Sequence, residues 1–189
     1  MKYFSENIAL FIFLCYNMVT TSFNGGIALR IVVISDTHGN YYALENVIMR
    51  NTDADWIIHL GDGEHELDNF ILCHQKLAPK IIHVAGNCDF DSLSNDVFVL
   101  PVMNHKILAT HGHLYGVNSS LDRLKALALT NGCDIVLFGH THVRHQSYEN
   151  GMYFLNPGSA SIPRDGNKPS FGHIDITLEG EIVTNIVNV

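Results

Sequence analysis

The sequence predicts an α/β fold built as a four-layer α/β/β/α sandwich, two stacked sheets with helices outside. Three observations predict it. Between residues 31 and 85, short apolar runs alternate with a helix-spaced segment, the pattern of βαβ units and a parallel sheet. From residue 143 onward, strand-like segments follow one another across hairpin turn signals, the pattern of antiparallel pairing. Finally, five strand ends each deliver an Asp, Asn or His beside a glycine, and open α/β folds build their sites outside the carboxyl ends of strands.

The chain is organised around Ile31–Asn40, IVVISDTHGN. Ile31–Ile34 is a continuous apolar run and reads as a buried strand. Asn40 is the expected N-cap of a helix reaching Arg50, with Leu44, Val47 and Ile48 turned to the sheet. Trp56–Leu60 returns as a second parallel strand, joined by a right-handed crossover. Gly61–Asp68 reads as an acidic loop, Asn69–Leu77 as a helix closed by Pro79, and Lys80–Ala85 as the third parallel strand. Phe90–Asp96 is a loop. Val97–Leu100 and Lys106–Thr110 are strands around a turn at Pro101–His105. Ser119–Thr130 has Leu121, Leu124, Leu127 and Ala128 at helical spacing and stops at Asn131-Gly132. Asp134–Phe138 is a buried strand. Val143–Tyr148, Met152–Leu155, Gly172–Leu178 and Ile182–Val187 are the strands of the tail, and Ser161–Pro169 is a polar loop.

The 189 residues suffice for one domain with a sizeable core, expected over 30–189. Residues 1–29 form an N-terminal extension. Its apolar run Ile8–Tyr16 is too short to span a bilayer. With one lysine before it and no clear cleavage site after it, the run reads as a targeting segment or as a plain extension. The four cysteines show no CxxC pair, and free thiols in a reducing compartment account for them. The expected localisation is therefore cytoplasmic, with secretion through an N-terminal signal left open. A net charge of -8 disfavours generic binding to nucleic acid, and no membrane span is expected. Metal ions would reverse the sign locally and let an acidic protein bind phosphate. No Walker loop or G-x-S-x-G elbow occurs, so neither P-loop ATP hydrolysis nor serine esterase chemistry is indicated.

The chemistry-bearing residues at the strand ends are Asp36 and His38, Asp62, Asn87, His111, and His140 with His142. They offer nitrogen and oxygen donors, with no sulfur unless Cys88 contributes. That mixture suits Mn²⁺, Fe²⁺ or Zn²⁺ rather than a thiolate-rich structural site. Seven donors exceed the need of one divalent ion, whereas two ions sharing a bridging carboxylate use them well and can drive phosphoryl transfer. His113 lies near enough to His111 to contact phosphate, and a role as a loop hydrogen-bonder fits it equally. Asp89 is placed behind a ligand histidine, Glu64 and His65 at the entrance, and His59 and His83 as packed histidines inside strands. Asn156 before Pro157-Gly158 reads as a turn residue near the site.

Together the D-x-H, GD, GN, H and GHxH blocks, from about Arg30 to Val189, resemble the calcineurin-like metallophosphoesterase superfamily, and most of all its small single-domain YfcE-type phosphodiesterases. Asn156-Pro157-Gly158-Ser159 also fits. The resemblance implies that Asp36, His38 and His142 hold one ion, that Asn87, His111 and His140 hold the other, and that Asp62 bridges. It implies two divalent ions, Mn²⁺ first, with Fe²⁺, Zn²⁺ and Ni²⁺ as alternatives. It further implies hydrolysis of a phosphodiester in a small phosphorylated substrate by a metal-activated bridging water, with Asp62, Asn87 and His113 as the catalytic residues. A phosphomonoesterase on the same centre and a protein-binding scaffold like the retromer subunit Vps29 remain the alternatives, and a homo-oligomer is left open. Many members carry histidine after Gly86-Asn87, where it resembles a general acid. Cys88 stands there in this chain, as in many of the small phosphodiesterases. Burial as a small hydrophobe is the other reading of Cys88.

Overall fold

The computed structural model describes residues 26–189. The apolar run Ile8–Tyr16, Cys15 and the targeting reading lie outside the described residues.

Among the described residues, ten strands and three α-helices follow one another as β1 (Ile27–Ile34), α1 (Tyr41–Met49), β2 (Trp56–His59), α2 (Glu64–Cys73), β3 (Ile81–His83), β4 (Val97–Val102), β5 (His105–Thr110), α3 (Asp122–Asn131), β6 (Ile135–Leu137), β7 (Arg144–Glu149), β8 (Met152–Pro157), β9 (Ser170–Thr177) and β10 (Ile182–Asn188). One sheet has the order β10-β9-β1-β2-β3 and the other β4-β5-β6-β8-β7. β1, β2 and β3 run parallel, as do β5, β6 and β8.

Side-chain alternation along the strands builds the layers. In β1, Ile31 and Val33 join Ile58, Ile107, Ile135, Leu137 and Ile174 in a core between the sheets. The intervening Val32 and Ile34 face the other way, against Leu44, Val47 and Ile48 of α1 and Leu67 and Phe70 of α2. On the far side, Leu108 and Val136 pack with Leu124 and Ala128 of α3. Three separate apolar clusters therefore define four layers, α/β/β/α. Each fully buried Ile or Val contributes about 1.5–3 kcal/mol by leaving water. β1, β2, β5 and β6 are apolar on both faces for this reason.

Local signals hold where a side chain makes the boundary. Asn40 Oδ1 accepts the Ala43 N–H at 3.1 Å and caps α1. Gly132 ends α3 with φ 66°. The second helix differs from the sequence expectation. It starts at Glu64, inside the segment read as a loop, and ends at Cys73 rather than Leu77. Glu64 and Glu66 lie in its first turn, where acidic groups favour a helix N-terminus, and Leu67 and Phe70 supply the buried face. Pro79 sits instead in a short 3₁₀ turn, Ala78–Lys80, which delays β3 to Ile81. β1 begins four residues before its apolar run, because its first half pairs only with β9. The tail is also divided. β7 and β8 complete the second sheet, with β8 parallel to β6, while β9 and β10 complete the first.

Candidate metal centre

The carboxyl ends of β1, β2, β3, β5 and β6 converge on one face, and the segments after them carry the donors. The backbone there is unusual. Among the described residues, Asp36, His38, Asp62, His140 and His142 are five of the eight non-glycine residues with positive φ. Such conformations cost about 1 kcal/mol or more each for a side-chain-bearing residue and persist only where surroundings enforce them. The enforcement is visible. Asp36 N–H donates to the Gly61 carbonyl at 3.1 Å and His38 N–H to the Asp62 carbonyl at 2.9 Å, locking the first loop to the second. Gly86 packs so tightly on Asp62 that a Cβ would overlap its Oδ1 and backbone nitrogen.

The donors form two adjoining groups. Asp36, His38, Asp62 and His142 present one ligand atom each, all within 4.8 Å of one another. His38 Nε2 and His142 Nε2 are 3.0 Å apart, and His142 Nε2 lies 3.2 Å from Asp36 Oδ1. Asn87, His111 and His140 form the adjoining group. His111 Nε2 is 3.1 Å from Asn87 Oδ1 and 3.5 Å from Asp62 Oδ2, and the His111 and His140 ring centroids are 5.2 Å apart. Asp62 Oδ2 is also 3.7 Å from His38 Nε2, so one carboxylate oxygen touches both groups.

The tautomers follow from the outer partners. His111 Nδ1–H donates to the Leu60 carbonyl at 2.7 Å, and His142 Nδ1–H donates to the Ile162 carbonyl at 2.7 Å. Each Nε2 is thereby turned inward with its lone pair, the orientation a metal-ligating imidazole takes. Asn87 Nδ2 donates to Cys88 Sγ at 3.3 Å, which aims its carbonyl oxygen at His111. Lone pairs thus face lone pairs across 3.0–3.9 Å, and Asp36 Oδ1 is buried without a hydrogen-bond partner among the described residues. Converging acceptors of this kind require cations or extra protons between them. The donor set, hard oxygen plus imidazole nitrogen, fits divalent ions and is large enough for two.

The pKa directions express the same crowding of acceptors, with a proton on the imidazole in the place a cation would take. Burial alone would raise the Asp62 pKa, but hydrogen bonding and charge from His111, with the Cys88 N–H, hold it well below the usual carboxylate range. His142 is pushed up by its bond to Asp36. Burial and the neighbouring His111 push His140 and His113 down, so both favour the neutral, ligand-competent form.

All seven expected donors are brought together. His113 is beside them, with its ring 5.3 Å from that of His111 and its Nδ1 buried without a hydrogen-bond partner among the described residues. Cys88 is exposed, against the reading of a buried hydrophobe. Its thiol is nevertheless pushed up to about 11, by desolvation and by Asp62, and stays protonated. Asp89 does not orient a ligand histidine. Its carboxylate accepts the N–H groups of Asp62, Gly63, Glu64 and Gly86 at 2.8–2.9 Å. Asn156 is fully buried and donates to the Gly139 carbonyl and Thr141 Oγ1, holding the loop that carries His140 and His142. Sequence reasoning passed over Ser35 and Glu66, and named Ser159 without a role. Ser35 Oγ donates to Asp36 Oδ2 at 2.6 Å, and Ser159 Oγ donates to the Asp36 carbonyl at 2.7 Å. The acidic Glu66 was hidden by the loop reading of its segment.

With this geometry in hand, the comparisons are specific. The calcineurin-like phosphoesterase superfamily domain matches residues 29–179. The chain belongs to this superfamily. Among its relatives, the probable metallophosphoesterase YsnB of Bacillus subtilis is 34% identical over 157 residues, covering 82% of this chain and 88% of that protein. The phosphodiesterase YfcE of Escherichia coli is 28% identical over 179 residues, covering 83% and 93%. In structure, a conserved protein of Streptococcus pneumoniae, described as a predicted phosphoesterase, superposes with a TM-score of 0.68 at 28% identity, covering 85% of this chain and 98% of that one. Vps29 of Cryptosporidium parvum shares the fold at a TM-score of 0.65 and 18% identity, covering 84% and 96%. The superfamily's two-sheet architecture and the Asp/His cluster of this chain together mark a metal-dependent hydrolase scaffold. Among the described residues, no helix is long and apolar enough to cross a membrane.

Proposed function

We propose that the chain is a metal-dependent phosphodiesterase acting on a small phosphorylated substrate, with its domain over 30–189. The observation that carries this reading is the position of Asp62 Oδ2, 3.7 Å from His38 Nε2 and 3.5 Å from His111 Nε2, between two donor groups. Asp36, His38 and His142 would hold one divalent ion, Asn87, His111 and His140 the other, and Asp62 both. Mn²⁺ is the ion expected first from the family resemblance, and the mixed carboxylate, amide and imidazole donors suit Fe²⁺, Zn²⁺ or Ni²⁺ as well. Bound ions at such a pair supply Lewis acidity, which activates water and neutralises phosphoryl charge.

The chain's own residues do the rest. The carbonyls of Leu60 and Ile162 hold two imidazoles in the tautomer that presents Nε2. Asn87 and His113 line the rim beside His111, where an amide and a neutral imidazole can orient phosphoryl oxygens. Cys88 is a weak proton donor, since its thiol stays protonated at neutral pH. This favours esters with good leaving groups.

The test is metal analysis of the purified protein together with turnover of an aryl phosphodiester and the matching monoester, after EDTA and after Mn²⁺ add-back. Two bound ions and Mn²⁺-restored diesterase activity are expected. A folded protein that takes up no metal overturns the reading. Monoesterase activity alone keeps the centre and overturns the substrate class. A Vps29-like scaffold rests on fold likeness, and robust turnover would leave it a secondary role.

A further inference from the structure

Behind the first metal loop lies a buried hydrogen-bond chain that the catalytic reading does not use. Glu66 Oε1 accepts the Thr37 hydroxyl at 2.6 Å and the Gly39 N–H at 2.7 Å. These are the residues on either side of His38, whose φ of 44° is strained. Glu66 is 4% exposed and reaches this loop from the first turn of α2. We infer that Glu66 is a positioning residue that clamps the backbone around His38 and so sets the ligand geometry of one metal ion only.

The direction of every bond in the chain follows from the acceptor at its end. Since the Thr37 hydroxyl donates to Glu66, it accepts from His59, whose Nε2 lies 3.1 Å away and must carry the proton. His59 Nδ1 is then an acceptor, and it receives the Gly61 N–H at 3.3 Å and Nδ1–H of His83 at 3.2 Å. The chain therefore runs His83 to His59 to Thr37 to Glu66 with one proton per link. It ties β3 and β2 to the loop after β1. A buried acceptor that receives two bonds is a costly group to lose, because both donors are then left without partners. No comparable bond from Glu66 reaches Asn87, His111 or His140 among the described residues, so the second donor group should not depend on it.

The inference rests on the proposed two-ion centre, and the experiment separates the two. The metal-free full chain is titrated with Co²⁺ and followed by visible absorption, for wild type, Glu66→Ala, Glu66→Gln and Thr37→Val. Wild type should bind two ions. Glu66→Ala should weaken one of them by about 10–100-fold, the usual loss for an outer partner of a ligand, and leave the other unchanged. Glu66→Gln keeps an acceptor oxygen and should recover most of that loss. Should Glu66→Ala fail to fold, Thr37→Val is read in its place, since it cuts the same chain at nearly constant volume. Wild-type affinity for both ions in the variant that folds, equal weakening of both, or no rescue by Gln overturns the inference alone. A wild-type chain that takes up no ion overturns the centre and the inference with it.

Discussion

Asp89 stands directly behind Asp62, its Oδ2 accepting the Asp62 backbone N–H at 2.8 Å. Both oxygens of Asp89 are engaged, with Gly86 N–H also on Oδ2 and Gly63 and Glu64 N–H on Oδ1. One carboxylate thus gathers the GD and GN loops. Burial opposes the charge of Asp89, but the four N–H bonds and nearby His83 outweigh it and hold the pKa below the ordinary value. A depressed folded pKa means stability that is present above about pH 4, the unfolded value, and lost as pH falls through the folded one. Asp89→Asn should therefore cost about 2–4 kcal/mol at pH 7, since an amide NH₂ would face backbone donors. The gap from wild type should close as pH is lowered toward 3. Urea melts at several pH values check this, and a gap that stays constant with pH would refute it.

Asp62→Ala removes the oxygen that touches both donor groups. At saturating Mn²⁺, turnover should fall by at least about 10²-fold, because the shared charge and the frame for water go together. Bound metal should fall with it, while the thermal melt moves little. His113→Ala should cost less and leave both ions in place. Metal stoichiometry beside turnover decides the point: a mutant holding two ions at near-normal rate would remove Asp62 from its bridging place.

Gly86→Ala probes the close packing of the two loops. The new Cβ would overlap Asp62 Oδ1 and its backbone nitrogen, which cannot retreat because Asp89 holds the same N–H. Overpacking of this kind costs about 1–3 kcal/mol, and turnover should fall because the displaced carboxylate carries the candidate bridging oxygen, Oδ2. Gly151→Ala, with φ 81° and nothing within 4 Å of its Cβ, is the control. It should lose only about 1–2 kcal/mol to left-handed strain and keep its turnover. Equal turnover losses in the two variants would show that the loss does not come from displacement of Asp62.

Away from the site, His105 pairs Nδ1 with Asp134 Oδ2 at 2.5 Å and Nε2 with the Gly180 carbonyl at 2.9 Å. Both partners are acceptors, so both ring nitrogens carry protons and the ring is charged. Burial opposes this, but Asp134 and Gly180 raise the pKa above its ordinary value. The resulting stability is fully present below about pH 6.5 and is lost as pH rises through the folded pKa. His105→Gln should lower stability by roughly 0.5–1 kcal/mol at pH 6, allowing for the half-exposed Asp134, and by less at pH 9. Thermal melts at the two pH values measure it. A larger penalty at pH 9 would contradict the assigned charge.

The strand ends that carry the seven candidate residues, and the layer order, were legible in the sequence because both depend on short-range chemistry. Apolar runs with both faces buried announce central strands, as in Ile31–Ile34, and a polar group just past such a run can only sit at the sheet's end. Asn40 and Gly132 marked helix ends because a cap is a contact within one turn. The second helix was not legible: Glu64–Asp68 is polar throughout except Leu67, and only burial against the first sheet tells helix from loop. The split of the tail between two sheets was not legible either, since an alternating strand pairs with whichever edge the rest of the fold leaves open. The tertiary structure alone decided the support of the site. Asp89 and Glu66 act through backbone N–H groups and a hydroxyl 25 to 29 positions away along the chain, apart from the nearby Gly86 N–H. A carboxylate that folds its neighbours into place looks, in sequence, like any other surface acid until the chain closes around it.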